Sequence, residues 1–265
     1  MIILTGAAGF LGKTFLGSIS DTVLHVEVDE CFDFIGQFSK WDEISLILHQ
    51  GAISSTTEDD WQKLMTYNVH FSISLFEKAI RFGIPVKYAS SASVYCSATG
   101  GLMPRTLYAQ SKLLIDEWVM SHKEDFTLVQ GFRYFNVYGE HEDHKIQTGQ
   151  ASPVTQFLHD ANVRGEIRVF EGSENFLRDF VYAGDVTSIV MNNNETSGIY
   201  DLGTCNPMSF MDVAKAIASR TKARIVEVPF PENLKYGYQT FTCSSRTWNH
   251  DFLKLEEYLD GHRLD

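Results

Sequence analysis

Short apolar runs alternate with longer amphipathic stretches through the first half of the chain. Met1–Thr5, Val23–Val28, Ser45–His49, Val86–Ala89 and Phe126–Phe132 are too short for helices and apolar enough for strands buried on both faces. Helical stretches fall between them: one begins at Lys13, one runs over residues 59–82 behind the capping cluster Ser54–Glu58, and one begins at Tyr108. Residues 31–44 are too few for a helix and another full strand, so one crossover is expected to be trimmed. Regular alternation of this kind predicts an α/β fold with a doubly wound parallel sheet.

Beyond Gly139 the rhythm changes and the loops lengthen. The pattern predicts a helix over 152–164, strands at Arg168–Phe170 and Arg178–Tyr182, a helix from Ala183, a strand at Ile199–Gly203, a helix over 209–221 and a strand at Ile225–Val228. A second, smaller α/β substrate lobe is the expectation. Residues 1–139 plus about 179–202 would form the dinucleotide-binding domain, and about 140–178 plus 203–265 the substrate-binding lobe.

The first strand runs directly into Gly6-Ala7-Ala8-Gly9-Phe10-Leu11-Gly12 and then a helix, a Rossmann-type order. Glycines there permit a tight turn and let a pyrophosphate approach the backbone at a helix N-terminus, so Gly6, Gly9 and Gly12 are candidate dinucleotide ligands. Asp29 ends the second strand where an acid meets an adenosine ribose, and Glu30 adds a second charge; the alternative is a solvated acidic turn. Two carboxylates repel a 2′-phosphate and favour NAD over NADP unless Lys40 folds back. After the third strand, Gln50-Gly51-Ala52 lets the backbone pass near a ligand, while His49 reads as a packing residue.

Chemistry concentrates in residues 88–112. Ser90 and Ser91 lie at the carboxyl end of a strand, the edge where open parallel sheets bind ligands. Tyr108 and Lys112 are four apart and share a helix face, where an ammonium favours the phenolate and lowers the phenol's pKa. A serine hydroxyl polarising a substrate alcohol while Tyr108 takes its proton is the division of labour for alcohol oxidation by hydride transfer.

Composition narrows the field. At 44% hydrophobic and 21% charged, the 265 residues are globular, and a net charge of −12 leaves no footprint for nucleic acid. The four cysteines match no zinc or disulfide pattern, and His141-Glu142-Asp143-His144-Lys145 reads as a polar loop, so no metal is expected. No run is long enough to span a membrane, and the first residues read as a strand instead of a leader, which makes the cytoplasm the expected location; a homo-oligomer is a separate expectation. Arg178 reads equally as a diphosphate partner and as half of a surface ion pair.

Together, Gly6-x-x-Gly9-x-x-Gly12, Asp29, Ser91 and Tyr108-x-x-x-Lys112 resemble the extended short-chain dehydrogenase/reductase family. More narrowly, the runs His49–Glu58, Gly131–Gly139 and Phe170–Phe180, and the closing Pro229–Gln239, resemble the ADP-glyceromanno-heptose 6-epimerases. That resemblance implies a nucleotide-sugar epimerase of lipopolysaccharide-type heptose synthesis, with ADP-heptose as substrate, oxidised transiently at C6 and given hydride back on the opposite face. It implies Lys145 as a second proton-transfer residue. It implies Phe10, Leu11, Asn68, Val137 and Lys112 along the cofactor, with the loop from Gln50 to Ser54 beneath it. Asn136, Phe170, Glu171, Gly172, Ser173, Arg178 and Tyr238 would hold the substrate.

The family uses NADP through lysines in a stretch that here is shortened and keeps Lys40 alone, so NAD(P) is left open. Gln50 replaces a family glutamate, Cys96 a glycine and Glu140 a proline. Two other readings share the framework: another NDP-sugar 4-epimerase or dehydratase, and a non-catalytic dinucleotide-binding sensor.

Overall fold

The computed structural model describes residues 1–96, 101–232 and 238–261. They divide into two compact units, the first from Met1–Cys96, Gly101–Tyr134 and Thr187–Asp201, the second from Phe135–Val186 and from Leu202 onward.

The first unit is built on a six-stranded sheet. In chain order its elements are β1 (Ile2–Thr5), α1 (Phe10–Leu16), β2 (Val23–Val26), α2 (Cys31–Gln37), β3 (Leu46–His49), α3 (Trp61–Leu64), α4 (Phe71–Phe82), β4 (Val86–Ser91), α5 (Leu107–Ser121) and β5 (Val129–Tyr134). β10 (Gly198–Leu202) completes the sheet, whose order is β10-β5-β4-β3-β1-β2. The pairs β2–β1, β1–β3, β3–β4 and β4–β5 are all parallel. β1 is buried along its whole length, as its unbroken apolar run requires. The trimmed crossover is visible: α2 spans seven residues and only a 3-10 turn, Trp41–Glu43, separates it from β3, and β2 is the last strand on its side of the sheet. Ile3, Ile47, Phe76, Tyr88 and Val119 anchor the core beside this sheet.

Two local devices position the chemistry. Between α3 and α4 the helix widens into a π segment at Met65–His70, a form that recurs at functional sites, and it carries Asn68. α4 then stops at Gly83, which takes the left-handed conformation (φ 65°) ahead of Pro85. α5 starts at Thr106, whose hydroxyl accepts the Ala109 amide at 3.1 Å, fixing Tyr108 in its first turn.

The second unit comprises β6 (Asn136–Tyr138), α6 (Pro153–Arg164), β7 (Glu166–Phe170), β8 (Leu177–Arg178), β9 (Phe180–Tyr182), the start of α7 (Ala183–Asn192), β11 (Met208–Ser209), α8 (Phe210–Thr221), β12 (Arg224–Val228) and α9 (Leu255–Gly261). Its strands form three two-stranded pairs, β6–β9 and β7–β12 parallel and β8–β11 antiparallel. Val154, Ile167, Phe180, Val213 and Leu259 fill its own core. Among the described residues no helix is long and apolar enough to cross a membrane.

Candidate active site

The glycine turn is packed backbone against backbone. A Cβ on Gly12 would lie 2.0 Å from the Gly6 carbonyl oxygen, and one on Gly6, already at φ 67°, would lie 2.6 Å from the Gly51 Cα. The turn after β1 and the loop after β3 therefore touch. No side chain caps the first turn of α1 at Gly9, and Phe10 and Leu11 begin that helix.

The acid that meets this turn is Glu27, which sequence reasoning passed over. Its Oε1 accepts the Ala8 amide at 2.8 Å. β2 ends at Val26, two residues earlier than the alternation suggested, and Val28, read as its last residue, is 52% exposed. Asp29 and Glu30 lie further on, both exposed. Lys40 is paired with Glu43 at 3.5 Å on the surface.

A buried hydrogen-bonded chain ties the turn to α5. The Gly51 amide donates to Thr5 Oγ1 at 2.9 Å, Thr5 Oγ1 meets His49 Nδ1 at 2.8 Å, and His49 Nε2 meets Ser72 Oγ at 2.8 Å. The Ser72 hydroxyl donates to the Asn68 carbonyl, so its oxygen accepts from Nε2–H, and Nδ1 accepts from Thr5. Burial, reinforced by the nearby charge of Lys112, pulls His49 down to about 3, so it is neutral and packed, as its sequence position suggested. Asn68 Oδ1 accepts the Ile53 amide at 2.8 Å, while its Nδ2 donates to Ile53 O at 3.1 Å and Ser111 Oγ at 3.0 Å. Ser111 donates to the Tyr108 carbonyl at 2.8 Å. Asn68 thus clamps the loop holding Gly51, Ala52 and Ser54 to the turn of α5 that carries Tyr108.

Tyr108 is buried, and Ser91, which ends β4, is the polar side chain that acts on its phenol. Burial pushes the phenol up and the Ser91 hydroxyl pulls it down, with the net upward. The expectation that Lys112 brings this phenol down is not met in the protein alone. The Lys112 ammonium donates instead to the Ala89 carbonyl at 2.9 Å, and burial pulls it to about 8.

Gln50 Oε1 accepts the Tyr134 hydroxyl at 2.9 Å, and its buried Nε2 has no hydrogen-bond partner among the described residues. An unmet donor on the loop that touches the glycine turn fits a polar ligand there, and the glycine turn itself fits a dinucleotide pyrophosphate.

The remaining sequence candidates lie in the second unit. Asn136 begins β6 and its amide donates to Asp179 O at 2.9 Å; Val137 follows it. Arg178 is buried. It donates to the carbonyls of Leu177 and Gln239 and stands 5.1 Å from the Tyr238 ring centroid and 5.4 Å from that of Phe210. Asp179, its sequence neighbour, serves other donors: the Thr204, Cys205 and Ser244 amides and the Thr204 hydroxyl. A local Arg178–Asp179 ion pair is therefore not how these residues are used. Phe170, Phe176, Phe230 and Tyr238 form a ring cluster with centroids 5.3–5.4 Å apart. Glu171 is exposed, Gly172 takes φ 80°, and Ser173 is buried with its hydroxyl unmet among the described residues. Of the closing run, Asn233–Gly237 lie outside the described residues.

Lys145 ends a short 3-10 turn, Asp143–Lys145, and its amide donates to Glu142 O at 2.8 Å. Glu142, buried, accepts from Ser152 N (3.1 Å), Ser152 Oγ (2.6 Å) and Thr155 Oγ1 (2.8 Å), which pins this turn to the start of α6. Burial lowers the Lys145 ammonium and Glu142 raises it.

Comparison with known proteins agrees with this architecture. The NAD dependent epimerase/dehydratase family model matches residues 23–203. The Helicobacter pylori ADP-L-glycero-D-manno-heptose-6-epimerase is similar at 26% identity, with 86% of this chain and 84% of that one covered and a TM-score of 0.77. The Thermus thermophilus UDP-glucose 4-epimerase, solved with NAD, shares the fold at 20% identity, 92% and 90% coverage and a TM-score of 0.75. The NDP-hexosamine 5,6-dehydratase TunA does so at 20% identity, 98% and 95% coverage and a TM-score of 0.77. With the family match spanning well over half its length and a parallel sheet opening on a glycine turn, the chain is an enzyme of the NAD-dependent epimerase/dehydratase family, built around a nicotinamide dinucleotide.

Proposed function

We propose that the chain is a nucleotide-sugar epimerase of the ADP-glyceromanno-heptose 6-epimerase type. The observation that carries the chemistry is the buried Tyr108 phenol at the start of α5, with Ser91 closing β4 beside it and Lys112 one helical turn along, anchored on the Ala89 carbonyl of the same strand. In this reading Ser91 orients the sugar hydroxyl at C6 and Tyr108 takes its proton. A bound oxidised nicotinamide would supply the hydride acceptor and a positive charge that draws the phenol's pKa down. The C6 ketone turns about the C5–C6 bond, accepts hydride on its other face, and is reprotonated by Lys145 from the opposite side.

Gly6, Gly9, Phe10, Leu11, Gly12, Gln50, Gly51, Ala52, Ser54, Asn68 and Val137 serve the dinucleotide in this assignment, with Glu27 joining Asp29 and Glu30 at the adenosine ribose. The buried guanidinium of Arg178, surrounded by main-chain carbonyls and aromatic rings, suits a diphosphate, and Asn136, Phe170, Glu171, Gly172, Ser173 and Tyr238 the rest of the nucleotide sugar. The 26% identity over 86% of the chain favours ADP-heptose over other donors. Incubation with ADP-heptose plus NAD or NADP, followed by NMR at H6, is expected to show epimer formation. A cofactor-loaded protein that leaves ADP-heptose unchanged but converts a UDP-sugar would move the assignment to a 4-epimerase or dehydratase, the activities carried by the two other similar structures.

A further inference from the structure

Asp116 stands one helical turn beyond Lys112 and two beyond Tyr108, so all three share one face of α5. Its carboxylate is 1% exposed and is gripped from two strands. The Tyr88 hydroxyl of β4 donates to Oδ1 at 2.9 Å, and Arg133 Nε of β5 donates to Oδ2 at 2.8 Å. Arg133 continues outward, donating to the Tyr95 hydroxyl at 2.7 Å, which donates to Asp201 at 2.6 Å. Tyr88 reaches Asp116 because the residue opposite it in register is Gly131, where a Cβ would lie 2.4 Å from the Tyr88 ring and hydroxyl.

Asp201 is reached from Arg133 only through the Tyr95 hydroxyl, so Asp116 is the carboxylate that Arg133 touches directly. Lys112 and Arg133 are two cations, and Asp116 is the carboxylate set between strand and helix to serve both. A buried ammonium whose hydrogen bond goes to a carbonyl loses its proton readily unless a counter-charge stands nearby. We propose that Asp116 is a positioning residue for the Tyr108–Lys112 pair: held by Tyr88 and Arg133, its carboxylate keeps the Lys112 ammonium charged one turn from the phenol. The inference rests on the reading of Tyr108 as the proton-transfer group and deepens it.

The titratable groups acting on Lys112 are Asp116 from its own helix and His49 from β3, which burial keeps neutral. Tyr88 from β4 and Arg133 from β5 act on it through Asp116. Burial and Asp116 pull Lys112 in opposite directions, with burial the larger and Asp116 raising it. Burial likewise raises the Asp116 carboxyl, and Arg133 draws it back.

The test is the titration of Lys112 in the full-length protein labelled with 13Cε-lysine, the resonance identified by its loss in Lys112→Arg. In Asp116→Asn the midpoint is expected to fall by about one pH unit or more, and Asp116→Glu, which keeps the charge, to hold it above the Asn variant. A midpoint unmoved in a folded Asp116→Asn protein overturns the proposal and leaves Asp116 a scaffold residue. Should that variant not fold, Asp116→Asn combined with Arg133→Met removes the buried pair together; loss of the Arg133 cation alone would raise the Lys112 midpoint, so a fall below the parent's is expected only if Asp116 holds the ammonium charged, and a midpoint not below the parent's overturns the proposal. No substrate enters the measurement. A protein that converts no ADP-heptose but shows the shift refutes the proposed substrate alone.

Discussion

Glu27 and Ala8 are joined by a 2.8 Å hydrogen bond from the Ala8 amide to the Glu27 carboxylate, which sets a negative charge against the glycine turn. Asp29 and Glu30 follow within three residues, and Lys40 is engaged by Glu43. A 2′-phosphate would enter this field unfavourably. NAD is expected to bind at least about tenfold more tightly than NADP, and Glu27→Ala to narrow that ratio, both measured by calorimetric titration. Equal affinities in the parent protein would remove Glu27 from the ribose.

Tyr108→Phe keeps the buried ring and removes the phenol hydroxyl. Turnover is expected to fall by roughly 10²–10⁴-fold with the dinucleotide Kd unchanged. A variant with normal turnover would show that another group moves the proton.

Much of this site was legible from the chain alone, and the misses have physical causes. The strands of the first unit carry enough apolar residues that their order, their parallel arrangement and the shortened crossover after β2 could be read, although β5 begins at Val129, three residues later than the run from Phe126 suggested. The end of β2 could not: Val28 continues the apolar alternation but points into solvent, and that hid Glu27. Four-residue spacing correctly put Tyr108 and Lys112 on one face, yet spacing carries no information about burial, which sends the phenol upward and turns the lysine to Ala89. Asp116 and Arg133 are 17 residues apart and on different elements, so nothing local announces their pairing.

Asn68→Ala would leave the Ile53 amide and carbonyl without their side-chain partner, while the Ser111 hydroxyl would keep only its bond to the Tyr108 carbonyl. A buried donor stranded in this way costs roughly 1–3 kcal/mol, to be read from the urea midpoint. Hydrogen exchange is expected to quicken first at residues 51–54. A uniform change across the sheet would mean that the clamp acts on the fold as a whole.

His49 carries a pH dependence of definite sign. The folded protein holds its imidazole neutral down to about 3, against 6.5 for an ordinary histidine, so the unfolded chain takes up the proton first as pH falls. Its contribution is intact above 6.5 and is lost progressively from there toward 3. The slope of stability against pH in that window is expected to flatten by up to about one proton in His49→Gln, measured by denaturation at several pH values. An unchanged slope would mean that the imidazole is protonated in place.

The strand β10 takes its place beside β5 only after the chain has left the first unit at Tyr134 and come back at Thr187. On return it is fastened by Lys87, whose ammonium donates to the carbonyls of Val190, Met191 and Asn193 at the end of α7. During synthesis, then, the nucleotide-binding half stays one strand short until residue 202 has emerged from the ribosome, and a truncation between β5 and β10 leaves β5 as a bare sheet edge open to a wrong partner.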